Sequence, residues 1–317
     1  MYNPLVSVTI PAYNAQNFIE RTILSAINQT YKNIEVIVLD DGSNDNTGDI
    51  VGRLQKKDNR VRYYYQKNQG LASSRNRLCE LSQGAYIAFL DHDDEWFPEK
   101  LELQLELFRG KPGIALVFTD MLSVYEDKAE CSFRYFSKRQ PQRGKVFYEF
   151  LLGGNFIPLS SVAMRTDLLK DYLPFRLSLK IAEEWELFLR ISRDYDFDYL
   201  DKPLGIYHLH SSRASKDVLL EVNERLEIMD YWYKKEEKLR SYYRNKFLKA
   251  KSDLNLQRAY FYKHNQKFKQ GVNEIVNCIR IYPLSFEFYL KLIKYFLLFI
   301  SGHVIKLINS KIRLIKQ

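Results

Sequence analysis

Short, mostly β-branched apolar runs alternate with segments of helical period along the first 120 residues, and the alternation predicts βαβ units around a mostly parallel sheet flanked by helices. Residues 5–10 read as a first strand, and 34–39 as a second, apolar at every position but Glu35 and therefore buried on both faces. Between them Phe18, Ile19, Ile23, Leu24 and Ile27 recur at helical spacing, which predicts a helix within 16–29. Helices over about 45–55 and 71–81, and strands over 61–65 and 86–90, continue the pattern. Pro98 then introduces an amphipathic helix with Leu101, Leu105 and Phe108 on one face, followed by a strand over 114–119.

The next stretch, 125–144, is polar and aperiodic, an irregular excursion or a hairpin. Order returns with a strand over 161–164, helices over 166–172 and 182–192, and a strand over 205–208. Beyond 217 the strand signals vanish and helices dominate. The expected organisation is therefore an α/β domain over 1–215 and an α-helical region over 216–317, with the boundary near 211–216.

Charge supports that division. The net +9 is uneven: 216–317 carries 21 basic against 10 acidic residues, net +11, while 1–215 carries 27 against 29, net −2. A generally basic, nucleic-acid-coating protein does not have this distribution, and the aromatic and basic residues of 231–251 stand without any nucleic-acid-binding motif. Cys79, Cys131 and Cys278 are far apart and lack a Cys-x-x-Cys pairing, which argues against a disulfide framework or structural zinc and for a reducing compartment. The first residues lack a basic stretch and a cleavage signal, so a cytoplasmic location is expected.

The candidate chemistry sits at strand ends, where ligands bind in open α/β sheets. Pro11-Ala12-Tyr13-Asn14 follows the first strand, Asp40-Asp41-Gly42-Ser43 the second, Asn68-Gln69-Gly70 the third and Asp91-His92-Asp93-Asp94 the fourth. Tyr13 offers a flat aromatic face. Asp91, Asp93 and Asp94 put hard oxygen ligands together, the type that suits Mg²⁺ or Mn²⁺. Arg75 follows a polar segment and lies at the start of its predicted helix, a position from which a guanidinium can meet an anion. Glu183 and Glu184 begin an otherwise apolar helix anchored by Trp185, Leu187 and Ile191, which would aim carboxylates from a rigid element toward the sheet end. Plainer roles exist for each: Asp41 as a helix cap, Arg75 as a surface ion pair, Glu183 and Glu184 as complements to a helix N-terminus.

In order along the chain, these motifs resemble those of the family-2 glycosyltransferases of the GT-A fold, over roughly residues 5–215. The opening strand Val6 to Asn14, Val38-Leu39-Asp40-Asp41-Gly42-Ser43, Asn68-Gln69-Gly70 with Ser74-Arg75-Asn76, Phe89-Leu90-Asp91-His92-Asp93-Asp94, and Glu183-Glu184-Trp185-Glu186-Leu187-Phe188-Leu189-Arg190 carry the likeness. The resemblance implies a metal-dependent, inverting transfer of one sugar from a UDP- or dTDP-sugar to a hydroxyl of a lipid-linked or polysaccharide acceptor in surface glycan synthesis. By similarity Pro11, Ala12, Tyr13 and Asp41 hold the base, Arg75 the diphosphate, Asp93 the metal (Mn²⁺ or Mg²⁺), Asp91 the ribose or the metal, and Asp94 the donor sugar. Glu184 falls on the family's catalytic base, usually aspartate, and is longer by about 1.5 Å; Glu183 precedes it. His210, in Tyr207-His208-Leu209-His210-Ser211, resembles the closing histidine and is a candidate metal or phosphate contact.

Two features bear on rival functions. The glutamine-x-x-arginine-tryptophan motif of processive synthases is absent, favouring a single addition per encounter. A sugar-1-phosphate nucleotidyltransferase would want a glycine-rich basic loop after strand one, and Pro11-Ala12-Tyr13-Asn14 is not one. A catalytically silent membrane adaptor that recognises a glycan stays open as the other reading. The segment 284–317 has an amphipathic pattern, and its longest uncharged run, 295–305, is 11 residues, whereas a membrane span needs about 20. It is expected to lie on a membrane surface, peripheral on the inner face of the cell membrane, or to pack on protein or a second subunit.

Overall fold

The computed structural model describes residues 3–125, 132–210 and 217–283, together with 289, 290 and 293. The chain divides into two compact units, Met1–Arg213 and Ala214–Gln317.

The first unit starts with β1 (Val6–Ala12), α1 (Ile19–Ile27), β2 (Ile34–Asp40), α2 (Thr47–Lys57), β3 (Val61–Tyr65), α3 (Leu71–Leu81) and β4 (Tyr86–Phe89). Every residue of β1 and β2 is buried, as expected of β-branched strands covered by helices on both faces. The order β3-β2-β1-β4 is parallel throughout and forms half the sheet. Val8, Ile10, Ile19, Ile23, Val36, Val38 and Val51 pack into its core.

The other half is mixed. Its parts are β5 (Glu95–Trp96), α4 (Lys100–Phe108), β6 (Ile114–Tyr125), β7 (Ser132–Arg134), α5 (Phe147–Gly153), β8 (Ala163–Arg165), α6 (Thr166–Lys170), α7 (Glu183–Asp194) and β9 (Asp196–Leu209). β8 runs antiparallel to β4 and to β6, β9 runs parallel to β6, and β5 caps the edge antiparallel to β9. The expected strand over 205–208 is thus the end of a strand that begins at Asp196, and the one over 114–119 extends to Tyr125. The pairing carries register shifts at Thr119–Asp120 and Asp120–Leu122, which interrupt the alternation that would otherwise announce a long strand. β6 and β7 pair as a hairpin across part of the polar stretch 125–144; residues 126–131 lie outside the described ones.

The second unit contains α8 (Val218–Lys235), α9 (Glu237–Arg240), α10 (Arg244–His264) and α11 (Phe268–Ile281). Asp217 caps α8 by accepting from the Leu220 amide at 3.0 Å. Leu256 and Ala259 of α10 bury against Ile275 and Cys278 of α11. No helix among the described residues is long and apolar enough to cross a membrane. The expected amphipathic helix over 284–317 falls almost wholly outside the described residues.

Candidate active site

The loops at the carboxyl ends of β1, β2 and β4 are tied together by their own polar side chains. Asp40 closes the β2 turn: its Oδ1 accepts from the Ser43 amide at 2.8 Å and its Oδ2 from the Tyr63 hydroxyl at 2.9 Å. Gly42 has φ +82°, and a Cβ there would stand 2.8 Å from the Asn68 nitrogen, so glycine is required on both counts. Asn14, itself at φ 49°, receives the Asn44 amide on Oδ1 and donates its own to Ser43 Oγ, each at 2.9 Å. Tyr13 beside it is 46% exposed, a free aromatic face on an otherwise fixed loop.

Asp41 is buried, and its carboxylate organises the approach to α3. Oδ1 accepts from Gln66 Nε2 at 2.7 Å and from the Gln69 amide at 2.9 Å; Oδ2 accepts from the Gly70 amide at 2.8 Å. A carboxylate has about four acceptor positions, so Asp41 keeps roughly one for anything else. It does not cap α2; Asp45 serves that helix by accepting from the Thr47 amide at 3.0 Å.

The loop after β4 is held from below. Thr22 Oγ1 lies 2.8 Å from the His92 carbonyl and 2.9 Å from that of Asp94, donating to one at a time and pinning the loop to α1. His92 Nδ1 is 3.2 Å from the Pro11 carbonyl, which can only accept, so Nδ1 carries the proton and locks the β1 loop to the β4 loop. Asp94 is fully buried: Oδ2 accepts from Ser160 Oγ at 2.5 Å and Oδ1 from the His208 amide at 3.1 Å. Its carboxylate faces the β9 strand and the turn before β8, supporting the site from beneath. Ser160 Oγ also accepts from the Asp91 amide at 3.1 Å.

Asp93 and His210 come together, although 117 positions separate them: His210 Nε2 donates to Asp93 Oδ2 at 2.8 Å. The imidazole stacks on Phe18, ring centroids 5.0 Å apart and 23° from parallel. Asp91 does not join this pair. Its Oδ1 accepts from Arg75 Nη2 at 3.0 Å.

Arg75 is the centre of a second cluster. Only 4% of its side chain is exposed; besides Asp91, its Nη1 meets Glu183 Oε1 in a very short contact and Glu184 Oε2 at 3.4 Å. Burial works against its charge, but Asp91, then Glu183 and Glu184, outweigh that and hold the guanidinium more firmly protonated than usual. Glu183 is 1% exposed, whereas Glu184 is 19% exposed, so Glu184 is the carboxyl with access to solvent. Its pKa is pushed up to about 8, by burial first and by the Glu183 charge second, against the pull of Arg75. The helix that carries both is anchored by Trp185, whose Nε1 donates to the Phe150 carbonyl at 3.2 Å. Arg190 fastens the preceding loop by donating to the carbonyls of Tyr172 and Pro174.

Together these contacts run without a break from the Tyr13 loop to the start of α7. A family model described as glycosyl transferase family 2 matches residues 7–169, just over half of the chain. The chain belongs to glycosyl transferase family 2. Over 127 residues it is 42% identical to the putative teichuronic acid biosynthesis glycosyltransferase TuaG of Bacillus subtilis, covering 40% of this chain and 50% of that one. Over 216 residues it is 32% identical to a chondroitin synthase of Pasteurella multocida, covering 67% of this chain and 21% of the relative. The family-2 chain therefore spans half or less of these relatives' lengths. Among solved structures, S. aureus TarS 1–349 with UDP-GlcNAc superposes at TM-score 0.60 and 19% identity, covering 87% of this chain and 81% of that one. A mannosyltransferase from Pyrobaculum calidifontis with GDP-Man and Mn²⁺ also superposes at TM-score 0.60, at 15% identity, covering 97% and 81%. At such identities the likeness speaks for the fold, which is GT-A.

Phe18, Gln66, Ser160 and His208 did not stand out in the sequence. Phe18 reads as one more apolar helix position, and Ser160 lies next to a short strand in an otherwise unpatterned stretch; only their partners, far along the chain, reveal them.

Proposed function

We propose that this chain is a metal-dependent, inverting glycosyltransferase that moves one sugar from a UDP- or dTDP-activated donor to a hydroxyl of a growing surface glycan. The observation that carries the reading is the Arg75 bridge, which ties Asp91 at the end of β4 to Glu183 and Glu184 at the start of α7. That link between the loop that would hold a donor and the helix that would hold a base supports the reading.

Asp93 and His210 are the residues that would hold a divalent cation. Among the described residues no three His, Cys, Asp or Glu side chains stand close enough to bind a metal by themselves. One carboxylate and one imidazole fit an ion that completes its shell with diphosphate oxygens and water, as Mg²⁺ and Mn²⁺ do in nucleotide sites. Such an ion, when bound, offsets the charge that grows on the leaving diphosphate. The exposed Tyr13 face receives the base, the buried Asp41 shapes the wall behind it, and Asp94 holds the metal loop against β9. Glu184 takes the proton from the acceptor hydroxyl as its oxygen attacks the anomeric carbon from the side opposite the departing diphosphate.

The names of the relatives favour a part in polysaccharide synthesis, and the basic second unit favours a place at an anionic membrane surface on the cytoplasmic side, where the acceptor would be a polysaccharide or a lipid-linked glycan. The test is Glu184→Gln with UDP binding followed by calorimetry beside sugar transfer. Binding kept and transfer lost is expected; transfer at the wild-type rate would remove Glu184 from the reaction.

A further inference from the structure

The sequence expectation for Arg75 is a contact to the donor's diphosphate, but its surroundings argue for a different task. We propose that Arg75 is a positioning residue: it orients the carboxyl of Glu184 and sets the charge that this carboxyl feels, without itself contacting the donor. This rests on the reading of Glu184 as the base.

Geometry carries the argument. Arg75 sits in the first turns of α3, its side chain 4% exposed, and both Nη atoms are committed to carboxylates from two other parts of the fold. Nη1 engages Glu183 and Glu184, and Nη2 engages Asp91. A planar guanidinium can hold these directions at once because its N–H groups are fixed in a fork; an ammonium cannot. Glu184 Oε2 is the oxygen drawn to Nη1, and 19% of the Glu184 side chain stays exposed.

Charge balance adds a consequence. One guanidinium shared among Asp91, Glu183 and Glu184 leaves the cluster short of positive charge, and Glu184, the longest of the three contacts, is the member least well neutralised. Burial is the first cause of the raised proton affinity of Glu184; of the charged groups that face it, Glu183 and, farther off, Asp91 add to that rise while Arg75 opposes it. Any change at Arg75 must therefore appear in the pH dependence of turnover.

The experiment is a set of rate–pH profiles for Arg75→Lys, Arg75→Met and Glu183→Gln, with donor KM, UDP affinity by calorimetry and thermal melting measured on each. Loss of the fork in Arg75→Lys should lower kcat by about 10- to 100-fold with donor KM and UDP affinity within about threefold, and move the profile to higher pH; Arg75→Met should do more of the same. Glu183→Gln removes the like charge beside Glu184 and frees Arg75 for it, so its profile should move to lower pH. If UDP affinity instead falls tenfold or more with the profile unmoved, Arg75 is a diphosphate ligand and the proposal is overturned. Should both Arg75 variants fail to fold, Glu183→Gln decides: an unmoved profile overturns it. Failure of the underlying reading shows separately, as Glu184→Gln that still turns over.

Discussion

Glu183 and Glu184 are adjacent in the chain and differ in environment. Glu183 is enclosed against Arg75, while Glu184 keeps 19% of its side chain exposed and holds its proton up to about pH 8. A base must be ionised to accept a proton, so transfer should rise with pH and level off above about 8. Glu184→Gln should cost about 10²- to 10⁴-fold in transfer rate, the usual scale for a general base, measured by release of the nucleotide. Stability has the opposite dependence on pH. The unfolded chain gives up this proton near an ordinary value of about 4.3, whereas the folded protein keeps it until about 8. The folded state thus binds more protons across that interval, and Glu184 makes folding less favourable as pH rises through it. The melting temperature of Glu184→Gln should exceed that of wild type by an amount that grows from pH 5 to pH 8; a constant gap would contradict the raised pKa.

At the scale of elements, the strands and helices of the parallel half were legible because each is a local pattern. β2 is apolar along most of its length and closes on Asp40, and α3 occupies the expected 71–81. The mixed half was harder. β5 has two residues, and β9 opens with Asp196, Asp198 and Asp201 and includes Pro203, a sequence that reads as a loop until it pairs with β6. Residues at strand ends were readable as candidates; Asp93 and His210 were linked only by the resemblance, which made both metal contacts, and nothing local in Asp94 indicates Ser160. The turn at Gly42 is an element-level feature with a sharp test. Gly42→Ala forces a residue with a Cβ into φ +82° and against the Asn68 backbone, at a cost of about 1 kcal/mol or more. Chemical denaturation should show that loss, and UDP affinity should fall with it because the same turn supports the Tyr13 and Asp41 loops.

For the whole molecule, the uneven charge is the main feature without a site. The family-2 domain is near neutral and the following 216–317 carries net +11, which suits attachment to an anionic surface worth about 1 kcal/mol per basic residue close to the lipid. Removing 284–317 should lower sedimentation with vesicles containing anionic lipid while leaving UDP affinity unchanged; undiminished sedimentation would leave that segment without this role. The proposed activity is sugar transfer from a nucleotide donor. It is tested most directly by nucleotide release from a panel of UDP- and dTDP-sugars, with Mn²⁺ and with chelator, for wild type and Asp93→Ala. Release from at least one donor, needing the cation and lost in Asp93→Ala, is the expected result. Release that persists in chelator and in Asp93→Ala would contradict it.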